Sequence, residues 1–106
     1  MTDANVAVET DGEHVMLTVS GEIDLANANA VQDEIFDVIG NDAVRVSLDL
    51  TQVTYLDSSG LRVLFTLAGR LKVLQMRMDL VVAPASPVRR VLEMSGFEPL
   101  AEVREA

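Results

Sequence analysis

Apolar and polar residues alternate twice near the amino end of the chain. In "VAVET", Val6 and Val8 alternate with Ala7 and Glu9. In "HVMLTVSGEI", residues 14 to 23, Val15, Leu17 and Val19 share one face, and His14, Met16, Thr18 and Ser20 the other. A period of two predicts half-buried strands. Asp11-Gly12 between them is a hairpin turn signal. The period then changes. In "LANANAVQDEIFDVIG", residues 25 to 40, Leu25, Ala28, Val31, Ile35, Val38 and Ile39 recur at spacings of three and four. That predicts a helix, with Asp24 as its candidate cap and Gly40-Asn41 as its stop.

Alternation returns in "AVRVSLDL", residues 43 to 50. Val44, Val46, Leu48 and Leu50 lie on one side, and Arg45, Ser47 and Asp49 on the other. The next stretch, "TQVTYLD", loses the pattern and reads as a loop. A second helix is expected from about Ser58 to about Leu74, with Leu61, Leu64, Phe65, Ala68 and Leu71 inward. Arg62, Thr66 and Arg70 form its solvent stripe. "RMDLVVA" is a further strand with a nearly continuous apolar end. Ser86-Pro87 opens a third helix, serine as cap and proline at the first helical position. Val88, Val91 and Leu92 are its apolar stripe, and Gly96 ends it. "FEPLAEV" fits either one more short strand or an irregular tail. The order predicts an α/β fold with a small mixed β-sheet: an amino-terminal hairpin plus parallel strands joined by right-handed crossovers.

Composition narrows the class. A chain of 106 residues is one domain's worth, residues 1–106, able to bury roughly two-thirds of its unfolded surface. It is 49% apolar and 24% charged, with three Phe and one Tyr. The core is therefore expected to be aliphatic. Seventeen acids against 8 bases give a formal net charge of −9. Such a surface repels phosphate backbones and anionic lipids, which argues against nucleic acid or membrane as the main partner. With no cysteine, disulfides and thiolate metal sites are excluded. The acidic amino end does not resemble a signal peptide. No apolar run reaches the ~18 residues of a membrane span. A soluble, cytoplasmic, bacterial-type domain is expected.

The candidate chemistry sits in "TYLDSSGLRVLF", residues 54 to 65, where two adjacent serines open the second helix. Local chemistry supplies a plain reading: Asp57 or Ser58 caps the helix for about 1 kcal/mol, and Gly60 relieves crowding where the chain turns onto the sheet. A second role is compatible with the first. A helix amino end carries partial positive charge and unpaired amides, which tolerate a phosphate. A loop serine is reachable by an enzyme. Phosphorylation would add about −1.5 to −2 charges without unfolding the domain.

Around these residues the sequence resembles the STAS domain, in the form of the single-domain anti-sigma factor antagonists. "VSGEIDLANA" at 19 to 28, "VSLDLTQVTYLDSSGLRVL" at 46 to 64 and "MDLVVAPASPVRRVLEMSGF" at 78 to 97 carry the likeness, in order, and it covers residues 6 to 103. "DSSGL" alone is weak; combined with the other segments it is specific. The resemblance implies a small mixed sheet with helices mostly on one face. It also implies a partner switch. The unphosphorylated antagonist binds an anti-sigma factor that is itself a serine kinase, and a sigma factor is freed. The kinase phosphorylates the first serine of the motif, here Ser58; the modified form lets go, and a PP2C-type phosphatase restores it. ATP belongs to the kinase, so no cofactor is expected in this chain.

By the same resemblance, Asp57 orients the Ser58 hydroxyl and contributes to the kinase contact, and Ser59, Gly60 and Leu61 form the docking surface. Asp24 is either an interface residue or a simple helix cap. Arg62, where the family commonly has a small or apolar residue, either pairs with an acid on the partner or is a solvated helix residue. A glycine pair often precedes the family's last main strand. Here the segment reads "LQMRMD", so a different turn is expected.

Rival readings are weaker. His14 is the only histidine; it falls on a hairpin strand and reads as a surface residue, not as a hydrolase base. "DSSG" is not the G-x-S-x-G elbow, and no P-loop is present. An enzyme is not expected. The other reading from the same family is a STAS subunit of a lipid-transport ABC complex or of a stressosome, without direct sigma-factor control.

Overall fold

The computed structural model describes residues 3–97 and 100–106. Five strands and three helices follow one another as β1 (Ala4–Asp11), β2 (His14–Ile23), α1 (Ala28–Val38), β3 (Arg45–Leu56), α2 (Ser58–Val73), β4 (Arg77–Val82), α3 (Pro87–Ser95) and β5 (Glu102–Glu105). The strands lie in the sheet in sequence order. β1 and β2 form the antiparallel hairpin, and every later pair is parallel. When each right-handed crossover steps in the same direction, its helix lands on the same side. One face of the sheet is therefore helix-covered, and the other is open.

The covered face holds the aliphatic core. Val15, Leu17 and Val19 of β2, Val46, Leu48 and Leu50 of β3, and Leu80 and Val82 of β4 are buried there. They meet Val31 and Ile35 of α1, Leu64, Leu67 and Leu71 of α2, and Val88 and Leu92 of α3. Phe65 and Phe97 close one end edge-to-face at 5.0 Å. Arg70 stacks over the Phe36 ring at 4.9 Å and ties α2 to α1.

Four expectations change. The stretch read as a loop after residue 50 is strand: β3 continues to Leu56. Two register shifts against β2 place extra residues in β3, so its inward positions run 46, 48, 50, 53 and 56. Spacings of three erase the alternation by which a strand is read, because each bulge adds a residue on one side only. Asp49 serves the first bulge, its Oδ1 accepting from the Thr51 amide at 2.9 Å and the Thr51 hydroxyl at 2.6 Å.

Helix α1 begins at Ala28 rather than Leu25, and Asn27, not Asp24, stands at its cap. Leu25 is 77% exposed and belongs to no core stripe. In α2 the inward stripe adds Val63 and Leu67, while Leu61 and Phe65 are half-buried. On β3, Val44 lies before the strand and is exposed. The third helix follows the sequence reading: Ser86 Oγ accepts from the Arg89 amide, Pro87 is first, and Gly96 ends it with φ of 72°. The tail forms β5; Glu98 and Pro99 of that stretch lie outside the described residues. Before β4 the chain turns through Gln75, at φ 60°, a left-handed conformation that glycine adopts most easily.

Candidate functional site

Parallel pairing of β2 with β3 brings their carboxyl ends together, with Ile23 opposite Leu56. The two following loops are therefore neighbours, and the Asp57 amide donates to the Ile23 carbonyl. Asp24 and Ser58, 34 positions apart in sequence, open from this one edge. The carboxyl end of parallel strands is the usual place for a site on such sheets.

Asp57 is the cap of α2. Its Oδ1 accepts from the Ser59 amide at 2.8 Å and the Gly60 amide at 3.2 Å. The Leu61 amide donates to the Asp57 carbonyl. The amides of Ser59, Gly60 and Leu61 are thus already served, and no hydrogen bond joins Asp57 to the Ser58 hydroxyl. Ser58, first residue of the helix, is exposed, and its hydroxyl has no partner among the described residues. Ser59 is half-buried beside it.

Gly60 is buried. A Cβ there would stand 2.8 Å from Leu56 Cδ1 and 3.0 Å from Ile23 Cγ2. The glycine lets α2 settle onto the strand ends, and it supports the surface from beneath. Leu61 is half-buried in the core's margin. Arg62 is exposed and forms no ion pair among the described residues.

Asp24 closes the turn ahead of α1: its Oδ1 accepts from the Ala26 amide at 2.8 Å, and its amide donates to Asn27 Oδ1 at 3.0 Å. Asn27 in turn donates to the Glu22 carbonyl at 2.8 Å. The turn carries Leu25 outward, and β3 presents Tyr55, 50% exposed, one residue before its end. Neither exposure was legible in the sequence. Leu25 fitted the helical period, and Tyr55 lay in the supposed loop.

A second polar cluster lies on the open face of the sheet. Asp79 of β4 is 3% exposed. It accepts from Arg45 Nε at 3.1 Å and Nη2 at 3.2 Å, from Ser47 Oγ at 2.6 Å, and from the Arg104 guanidinium. Burial pushes the Asp79 carboxyl up, but the hydrogen bonds from Arg45, Ser47 and Arg104, with the Arg45 charge, outweigh it and hold it below its usual range. The Asp79 hydrogen bond, then its charge, raises the Arg45 guanidinium in turn.

His14 Nε2 lies 2.7 Å from Ser47 Oγ. His14 is half-buried in this chain of contacts, a correction to its reading as a plain surface residue. The ionised Asp79 carboxylate only accepts, so the single Ser47 proton points to it, and His14 Nε2–H donates to Ser47. A hydrolase triad needs the opposite wiring: acid to histidine, and histidine accepting from serine. Ser47 is also buried. The cluster is a cross-strand tie. Among the described residues, no three His, Asp or Glu side chains are grouped to hold a metal ion. Nor is any helix among them long and apolar enough to cross a membrane.

Known proteins agree with this arrangement. The STAS domain family model matches residues 5–106. The anti-sigma-B factor antagonist of Listeria monocytogenes is 32% identical over 100 residues, 91% of this chain and 83% of that one. The crystal structure of an anti-sigma factor antagonist from Mycobacterium paratuberculosis superposes with a TM-score of 0.84 at 24% identity, covering 96% of this chain and 86% of that one. The Bacillus cell fate determinant SpoIIAA, solved in its phosphorylated form, gives 0.72 at 21% identity, covering 96% and 91%. Both structures share the fold. With a family model spanning nearly its whole length and a relative alike over most of both chains, this protein belongs to the STAS domain family, among its anti-sigma factor antagonists.

Proposed function

We propose that the chain works as a partner switch: unmodified, it binds an anti-sigma factor with serine kinase activity, and phosphorylation of Ser58 ends that binding. The observation that carries the reading is an exposed, unpartnered Ser58 hydroxyl at the start of α2, beside the Asp24 loop. A kinase can seat such a hydroxyl without displacing any structural hydrogen bond. The docking face runs from Asp24 and Leu25 across Tyr55 to Asp57, Ser58, Ser59, Leu61 and Arg62. It mixes apolar anchors with acids, and it suits a partner with an apolar pocket rimmed by basic residues.

In the forward step, Ser58 Oγ forms a bond to the γ-phosphorus of the kinase's ATP. The bond to the ADP oxygen breaks, and the hydroxyl proton leaves to a base on the kinase. In the return step, a PP2C-type phosphatase hydrolyses the ester to serine and inorganic phosphate. The chain itself is a regulator acting in the cytoplasm as one domain, and it contributes no catalytic group. SpoIIAA, phosphorylated in its solved form, supports the reading by analogy of fold.

The test uses the anti-sigma kinase from the same cell. Mass spectrometry after incubation with ATP is expected to find one phosphate, on Ser58. Ser58→Ala is expected to bind the kinase and stay unmodified, and Ser58→Asp to bind at least tenfold more weakly. Unchanged binding by both Ser58→Asp and the phosphorylated protein would overturn the switch.

A further inference from the structure

Capping by Asp57 leaves the start of α2 with little capacity to receive a phosphate on Ser58. Three of the amides that would ordinarily receive an anion are taken: Asp57 Oδ1 holds those of Ser59 and Gly60, and the Asp57 carbonyl holds that of Leu61. The adjoining Asp57 carboxylate repels a phosphate. A cation lies one helical turn on. Arg62 lies four residues after Ser58 in α2, so the two side chains rise from the same face about 5–6 Å apart at Cβ. Arg62 is exposed and forms no ion pair among the described residues. An anion amino-terminal to a cation at this spacing is the favourable order on a helix.

We propose that Arg62 is the internal counter-ion of phosphorylated Ser58, and that its capture is part of the switch. This rests on Ser58 being the phosphoacceptor. In the unmodified protein, Arg62 is free to meet an acid on the partner. Once Ser58 is phosphorylated, the guanidinium folds back and donates to the phosphate oxygens. Modification then changes the docking face twice: it adds a dianion and withdraws a cation. The phosphate is also restrained over the first turn of α2 instead of swinging free.

The experiment uses full-length protein carrying genetically encoded phosphoserine at position 58, so it does not depend on any kinase. A ³¹P NMR pH titration is run on this protein and on its Arg62→Gln and Arg62→Lys forms. Arg62 favours the dianion, so the native midpoint is expected to lie about 0.3 pH unit or more below that of Arg62→Gln. Arg62→Lys is expected to fall between, as an ammonium keeps the charge without the fork. The gap is expected to shrink in 1 M salt. Coincident midpoints for native and Arg62→Gln at low salt would overturn the proposal. Arg62 is exposed, so both variants are expected to keep the native circular dichroism spectrum. Binding of the phosphorylated native protein to the anti-sigma kinase is measured separately. Retained binding there would sink the Ser58 switch whatever the titration shows, whereas coincident midpoints with binding lost would remove only the Arg62 role.

Discussion

At the scale of single residues, the "DSSG" segment satisfies its local and its proposed demands together. Asp57 caps α2, Gly60 fits beneath it, and Ser58 is left with no structural duty. Two glycines of the same helix make this testable, because they differ in what a methyl would meet. At Gly60 it would press on Leu56 and Ile23, both buried; at Gly69 it would meet open space. Gly60→Ala is expected to cost about 1–3 kcal/mol by overpacking. Gly69→Ala is expected to add about 0.5–1 kcal/mol through helix propensity. Opposite shifts of the urea midpoint would confirm the pair. The cap was legible in the sequence, since it depends on residues a few positions apart, and so was the crowding at Gly60, since the glycine stands where the chain turns onto the sheet; that Ile23 is one of the crowding neighbours was not. That Asp57 leaves the Ser58 hydroxyl alone was not, because it depends on which oxygen faces which amide.

Whole elements show where pattern reading fails and why. Leu25 continues the three-and-four spacing of α1, yet Asp24 and Asn27 close a turn on the Glu22 carbonyl and start the helix three residues later. Side-chain bonds to backbone override periodicity when they offer the chain a competing local structure. Leu25 is left in solvent, and Ile35 fills the core. Leu25→Ala is therefore expected to change stability by no more than about 0.5 kcal/mol, while Ile35→Ala is expected to cost about 2–5 kcal/mol. Calorimetric titration with the anti-sigma partner is expected to reverse the ranking, Leu25→Ala weakening binding in a protein that remains folded. The end of β3 was hidden for a different reason. Two bulges shift Val53 and Leu56 inward at spacings of three. They also leave Tyr55 half exposed at the edge that carries Asp24 and Ser58.

For the molecule as a whole, the open sheet face needs its own source of cohesion, since no helix covers it. Asp79 supplies one by joining β3, β4 and β5 through Ser47, Arg45 and Arg104, and His14 extends the line to β2. The folded pKa of Asp79 is depressed, so its stabilisation is full above the unfolded value of about 3.9 and is lost as pH falls through the folded one. Native protein is expected to lose thermal stability as pH is lowered below about 4. Asp79→Asn is expected to be less stable at pH 7, by roughly 2 kcal/mol, and to lose less between pH 5 and pH 2 than the native protein does. Parallel acid limbs in thermal melts of the two proteins would remove Asp79 from the account. Composition announced the acidic surface, but not that one of its acids is buried.

The sequence alone determined the order of elements, the mixed sheet, the aliphatic core and the serine at a helix start. Each of these follows from the chemistry of residues near one another along the chain. Only the tertiary structure decided what faces what: Asp24 set on the same edge as Ser58, and His14 wired to Asp79 through Ser47. Those contacts join strands whose residues lie 30 or more positions apart, and their geometry depends on register and bulges. A slip of one position moves every side chain of a strand to the other face.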